Sequence, residues 1–333
     1  MRLNPVLVEV IRGGRTESFH RGAVVVVDAD GQVVAQSGDI DRPIFPRSAV
    51  KPLQCLALIA SGAADRLGLD DAEIALACGS HAGEPLHVAT AESMLRKAGR
   101  EGSCLECGAH WPLSESAAHA LAAEGGVPSA LHNNCSGKHA GFICLACFRD
   151  LDPSGYVQPD HPAMQEVTAA LAAATSTILD DSCRGVDGCS IPSFAMPLKA
   201  IATGFARLGT GQRLTPEHAM AATRIRSAIA SQPLMVAGTG RFDTRIATAF
   251  GAAVLCKCGA EGTAAAAIPG QGFGVAIKID DGAGRAAEVA MAALLQRLLP
   301  APLTDCEEFR KLAEGTLRNW SGIVVGHIRA FSS

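Results

Sequence analysis

Charge is sparse in this sequence and nowhere concentrated. Only 19% of the residues are charged, the net charge is −4, and no basic block of five or more residues occurs. Nucleic acid and anionic membrane surfaces are therefore not expected as partners. Long apolar runs are missing too. Every window of about 20 residues, the length that spans a bilayer, is broken by charge, glycine or proline. The stretch MRLNPVLVEVIRGG has too short an apolar run for an export signal and lacks a small-residue cleavage site. A soluble, cytoplasmic protein is the expectation, and its twelve cysteines then read as reduced thiols.

Lysine is the scarce basic residue, with 7 copies against 22 arginines. Arginine cannot give up its proton and lysine can, so each lysine is worth locating. Lys51, Lys138 and Lys257 sit in turn sequences containing Ser, Cys or Gly. Lys97, Lys199, Lys278 and Lys311 read as ordinary surface positions.

What the chain does have is apolar residues, 48% of 333 positions, enough for a sizeable core and too many for disorder. GAVVVVDADGQVVAQSGD (Gly22 to Asp39) reads as two strands joined at Asp-Ala-Asp-Gly. LQCLALIASGAADRLGL follows as a helix that Gly62 or Gly68 can end. AEIALACGSHAGEP reads as a buried strand entering a tight turn at Gly79-Ser80. PLHVATAESMLRKAG has helical periodicity up to Gly99, and CSGKHAGFICLACFRDL is a turn leading into a helix. Helices are expected from Pro162 to Ala174, Pro216 to Ala230 and Arg285 to Leu299. GAAVLCKCGAEG and GFGVAIKIDDG read as adjacent strands. Strands near both ends with helices between them predict an α+β architecture in one unit, residues 1–333, with room for two lobes.

Five segments carry chemistry. In FPRSAVKP, Ser48 and Lys51 are three apart, so a helical turn places them on one face. A desolvated, neutral lysine is a base that can activate serine, although a serine at a helix start is ordinarily just a cap. ACGSHAGEP presents Ser80 after an apolar segment, with His81 as a weaker candidate base. HNNCSGKHAGF brings Cys135 and Lys138 onto one helical face, beside His139. CRGVDGCSIPSF adds Asp187 and Cys189 in a glycine-rich loop. Together these two loops suggest zinc, against the plain alternative of buried thiols. CKCGAEG places Lys257 between two cysteines after an apolar strand, where desolvation lowers an amine's pKa. The pairs Cys104-x-x-Cys107 and Cys144-x-x-Cys147 are too far apart for a zinc ribbon, and the second lies in an apolar helix.

In this order, RSAVKP, CGSHAGE, HNNCSGKHAGF, GVDGCSIP and KCGAEG resemble the rhizobial-type (class 3) L-asparaginases, the asparaginase II family. The resemblance runs from about Val6 through Phe331. It implies a fold similar to serine β-lactamases and glutaminases, which also use a Ser-x-x-Lys turn, and hydrolysis of L-asparagine to L-aspartate and ammonia. It further implies Ser48 as nucleophile with Lys51 as its base, and Ser80 with Lys257 as a second couple. Zinc falls to Cys135, Lys138 and Cys189, with water completing the shell and Asp187 close by. Arg47, His139 and Asp187 become substrate-facing or supporting residues, and a homodimer is expected. Cys256 and Cys258, flanking Lys257, lie outside the family pattern. Two other readings remain at this stage: a zinc-dependent hydrolase whose serines only bind, and a non-catalytic protein binding metal or amino acid.

Overall fold

The valines of GAVVVV and the alanines of TAAAAI show why the centre of the molecule is apolar without alternation. In the computed structural model, which describes residues 3–305 and 307–331, both runs are strands covered on both faces, and such strands read as continuous apolar stretches. Val25 and Val27 point into one core and Val26 into the other; Ala265 and Ala267 oppose Ala264 and Ala266 in the same way.

The sheet contains β1 (Val6–Arg12), β2 (Arg15–Val27), β3 (Val33–Ser37), β4 (Leu255–Cys258), β5 (Thr263–Ile268), β6 (Phe273–Ile279), β7 (Thr316–Arg318) and β8 (Val324–Ala330). Their order is β7-β8-β1-β2-β6-β5-β4, with β3 also paired to β2. Every pairing is antiparallel. The β2–β3 turn is the expected one: the Asp28 carboxylate accepts the Asp30 and Gln32 backbone N–H groups, each at 2.9 Å.

The intervening chain supplies α1 (Lys51–Ala60), α2 (Asp71–Ala77), α3 (Pro85–Lys97), α4 (Ser136–Phe148), α5 (Pro162–Thr175), α6 (Leu198–Thr210), α7 (Pro216–Ser231) and α8 (Phe242–Phe250), and α9 (Gly284–Leu298) follows the last central strand. Helix α6 lies on β2, β5 and β6, with its backbone almost touching the sheet. A Cβ on Gly274 would stand 1.9 Å from the Ala202 carbonyl oxygen, so only glycine fits there. Helices α8 and α9 cover the opposite face. Helix α1 is buried among α4, α5 and α7, so its first residue is deep inside the protein.

The α+β class, the sheet of terminal strands and the helical middle are as expected. Two local expectations are overturned. AEIALA is a helix, not a strand. Asp70, just before it, forms a reciprocal cap with Glu73, its carboxylate accepting the Glu73 N–H at 3.0 Å while Glu73 accepts the Asp70 N–H at 2.8 Å. A short apolar run does not reveal its period, and the cap upstream decides. The strands of GAAVLCKC and GFGVAIKI are not adjacent, because β5 lies between them and pairs with both. Its alanines have little strand propensity, and close packing beneath α6 overrides that. No helix among the described residues is long and apolar enough to cross a membrane. All cysteines among the described residues are free.

Candidate functional site

The segment before α1 makes a tight turn, residues Arg47–Val50, and passes into the helix with Pro52 in the first turn. Arg47 has a φ of 52°, a left-handed conformation that costs a non-glycine residue energy. The exit of β4 crosses directly beneath. A Cβ on Gly259 would lie 2.6 Å from the Pro46 carbonyl oxygen, so the Ser48 turn rests on bare backbone. Ser48 is thereby held at the junction of two clefts. One contains Arg47, Lys138, Asp187 and Phe194; the other, a cavity of about 230 Å³, contains Ser80, Asn134, Arg241, Phe242, Asp243, Lys257 and Glu288. That volume is below the ~300 Å³ at which drug-sized sites begin, and suits a small polar ligand.

Lys51 is 1% exposed. Its amine bonds the Gly79 carbonyl at 2.5 Å, Ser80 Oγ at 2.9 Å and the Asn134 carbonyl at 3.4 Å. Ser48 is not among these partners, although it shares the cavity with Ser80. Burial pulls the Lys51 pKa below the usual lysine value; the Cys135 thiolate opposes this, while the charges of Lys138 and Lys257 reinforce it. The structure thus joins Lys51 to Ser80, whereas the resemblance coupled Ser80 with Lys257.

Lys257, also 1% exposed, donates to Asp243 Oδ2 at 2.8 Å and to the Cys258 carbonyl at 2.6 Å. Asp243 is 4% exposed and also accepts the Cys258 N–H. Sequence reading passed over Asp243. Its signal is an acidic residue in the first turn of α8, directly after Gly-Thr-Gly-Arg, where an isolated carboxylate has no obvious partner.

Cys135, Lys138 and Cys189 come together in the interior, each 3 to 4% exposed. Lys138 Nζ is 3.0 Å from Cys189 Sγ, and the Cys189 thiol hydrogen-bonds Cys135. That bond and the nearby lysines hold Cys135 well below the ordinary thiol range, and Cys189 is pushed up in turn. The two sulfurs and Asp187 raise Lys138 against its own burial. Asn133 fixes this corner: its oxygen accepts the Cys135 N–H at 2.8 Å while its amide donates to the carbonyls of Cys107 and Gly108. Two sulfurs and an amine converging in a buried pocket fit a zinc ion. Asp187 is close by but engaged by Arg47, Nε to Oδ2 at 2.9 Å.

His139 and His81 are both completely buried. His139 shares a 2.7 Å hydrogen bond with Tyr156, behind Lys138, and lines neither cleft, so it is placed to support the helix rather than to touch a ligand. His81 accepts the Gly83 N–H at one ring nitrogen and meets Ser136 Oγ at 2.9 Å with the other. Burial holds its pKa well down, and both nitrogens are occupied, so it is an unsuited base. The two Cys-x-x-Cys pairs form no four-thiol site among the described residues.

Fold and site together define an α+β protein with a buried lysine–serine pair at a small polar cavity. The family model described as L-asparaginase II matches residues 8–330, nearly the whole chain, and the chain belongs to that family. Among solved structures, Mglu in its native form is 16% identical with a TM-score of 0.37, covering 86% of this chain; the chain spans 63% of Mglu's length. A β-lactamase from Mycobacterium bovis is 12% identical with a TM-score of 0.39, covering 83% of this chain and 94% of its own. No curated protein matched the chain.

Proposed function

We propose that this protein is an amidohydrolase that converts L-asparagine to L-aspartate and ammonia through an acyl-serine. Family membership supports amide hydrolysis. The observation that carries the mechanism is Lys51. A neutral amine has two N–H bonds and one lone pair. The Gly79 and Asn134 carbonyls take the two N–H bonds, which leaves the lone pair for a serine hydroxyl. Without metal, Lys138 donates to Cys189 beside the Cys135 thiolate, and Lys257 is paired with the Asp243 carboxylate, so each of these buried lysines has an anionic neighbour. Lys51 is the one left to act as a base.

In this reading Ser48 attacks the side-chain amide carbon as its proton passes through the Ser80 hydroxyl to Lys51. The leaving nitrogen needs a proton to depart, and the Lys51–Ser80 pair delivers it, giving ammonia and an acyl-Ser48. Water cleaves the ester by the same route and releases aspartate. Arg241 and Glu288 offer a cation and a carboxyl group in the same cavity for the substrate's charged ends. Zinc held by Cys135, Lys138 and Cys189 supplies Lewis-acid orientation of a polar substrate group when bound. The residues that hold it stand beside Arg47 and Asp187, which support that cleft. A homodimer in the cytoplasm completes the proposal.

The 2.9 Å contact between Lys51 and Ser80 favours a second reading, in which Ser80 carries the acyl group and Ser48 assists. Ammonia release from asparagine and glutamine, by wild type and Ser48→Ala, with and without added zinc, tests the function. Release by wild type from asparagine and its loss in the variant support it. Undiminished release by the variant removes Ser48 as nucleophile, and no release from either amide overturns the activity itself.

A further inference from the structure

Cys256 and Cys258 lie outside the pattern that carried the resemblance, and the mechanism does not use them. They are two apart on β4, so their side chains leave the same face of the strand. Asp243, from the first turn of α8, faces them. One ligand atom from each of the three residues falls within 4.8 Å of the other two. Zinc–sulfur bonds of about 2.3 Å place two tetrahedral sulfurs about 3.8 Å apart, so a cation needs only a small contraction here.

We propose that Asp243, Cys256 and Cys258 form a second cation site, selective for a thiophilic divalent ion and separate from Cys135, Lys138 and Cys189. Charge and access both favour it. Two thiolates, one carboxylate and a divalent ion sum to −1, and the buried Lys257 ammonium, 2.8 Å from Asp243, balances that charge in place. Among the described residues, Asp243 Oδ1 accepts only the Cys258 N–H that it shares with Oδ2, so it keeps a lone pair for a metal. Cys258 lines the 230 Å³ cavity, which gives an ion a way in and leaves a fourth position facing it. Loading requires both thiols to lose their protons, so two protons are released per ion and binding weakens with acid.

Cadmium is the probe, because its thiolate charge-transfer absorption reports sulfur ligation without reference to activity. The full-length protein, stripped by chelator, is titrated with cadmium alone. Wild type is expected to take up two equivalents, Cys189→Ser one, and Cys258→Ser one, with the second equivalent weakened at least ~100-fold in the Cys258 variant. Cys258 is only partly buried, so its serine variant keeps the fold, which circular dichroism verifies. Alkylation of wild-type Cys258 by iodoacetamide, slowed tenfold or more by cadmium, supports the site without any substitution. Two equivalents retained in Cys258→Ser, or alkylation indifferent to cadmium, overturns the proposal.

Discussion

Replacing Asp243 by alanine is the sharpest perturbation that the structure allows away from the serines. The change leaves the Lys257 ammonium 1% exposed with only the Cys258 carbonyl as partner among the described residues, and removes the acceptor of the Cys258 N–H. Breaking one side of a buried ion pair costs about 3–5 kcal/mol, because the remaining charge stays desolvated. For a chain of this size, each kcal/mol moves the melting temperature by about 1.4 °C, so the loss is roughly 4 to 7 °C. Lys257→Met strands the carboxylate and costs a similar amount. The double variant removes both charges and leaves one unpaired backbone N–H, so about 1–3 kcal/mol is expected. Thermal and urea unfolding of chelator-treated wild type, both single variants and the double variant measures all four corners of this cycle. The reasoning fails if Asp243→Ala costs under about 1 kcal/mol, or if the double variant loses as much as the two singles added together.

Activity should rise with pH along an acid limb. Lys51 must be deprotonated to act, and burial places its pKa below the ordinary lysine range. A limb at or above 10.5 in kcat/KM would place Lys51 in water instead. Stripping zinc should raise KM more than it lowers kcat, and a lost kcat at unchanged KM would make the metal part of bond breaking. Zinc content should fall by about one equivalent in Cys135→Ser and Lys138→Met, and zinc affinity at that site should fall with acid because a lysine ligand must shed its proton. Gly274→Ala should destabilise by about 1–3 kcal/mol or more, since its Cβ overlaps the Ala202 carbonyl of α6; an unchanged melting curve would mean that α6 can lift off the sheet.

Much of this was legible in the sequence because it rests on local rules. Asp28 and Gly31 announce the β2–β3 turn, and Pro162 and Pro216 each stand at the first position of a helix. The three lysines in turn sequences are the three that the fold buries around the site. What stayed hidden depends on long-range packing. The alanines of β5 look like no strand until α6 is laid against them, and the helix at AEIALA is declared by a cap outside the apolar run. Spacing alone drew Lys51 toward Ser48, but 28 residues on, the loop after α2 returns and offers Gly79 and Ser80 to the same amine. Asp243 had only its place in the first turn of α8 as a marker, since its meaning is the lysine opposite on β4.

The account stands on an ester formed at a serine by an uncharged Lys51. Rapid acid quenching during asparagine turnover, followed by peptide mass mapping, looks for that ester directly. An aspartyl adduct on the peptide containing Ser48, absent from Ser48→Ala and from Lys51→Met, is the predicted result. An adduct on Ser80 would transfer the nucleophile's role to the second serine. Full ammonia release by Ser48→Ala and by Ser80→Ala, with no serine ester at any time point, would contradict the mechanism.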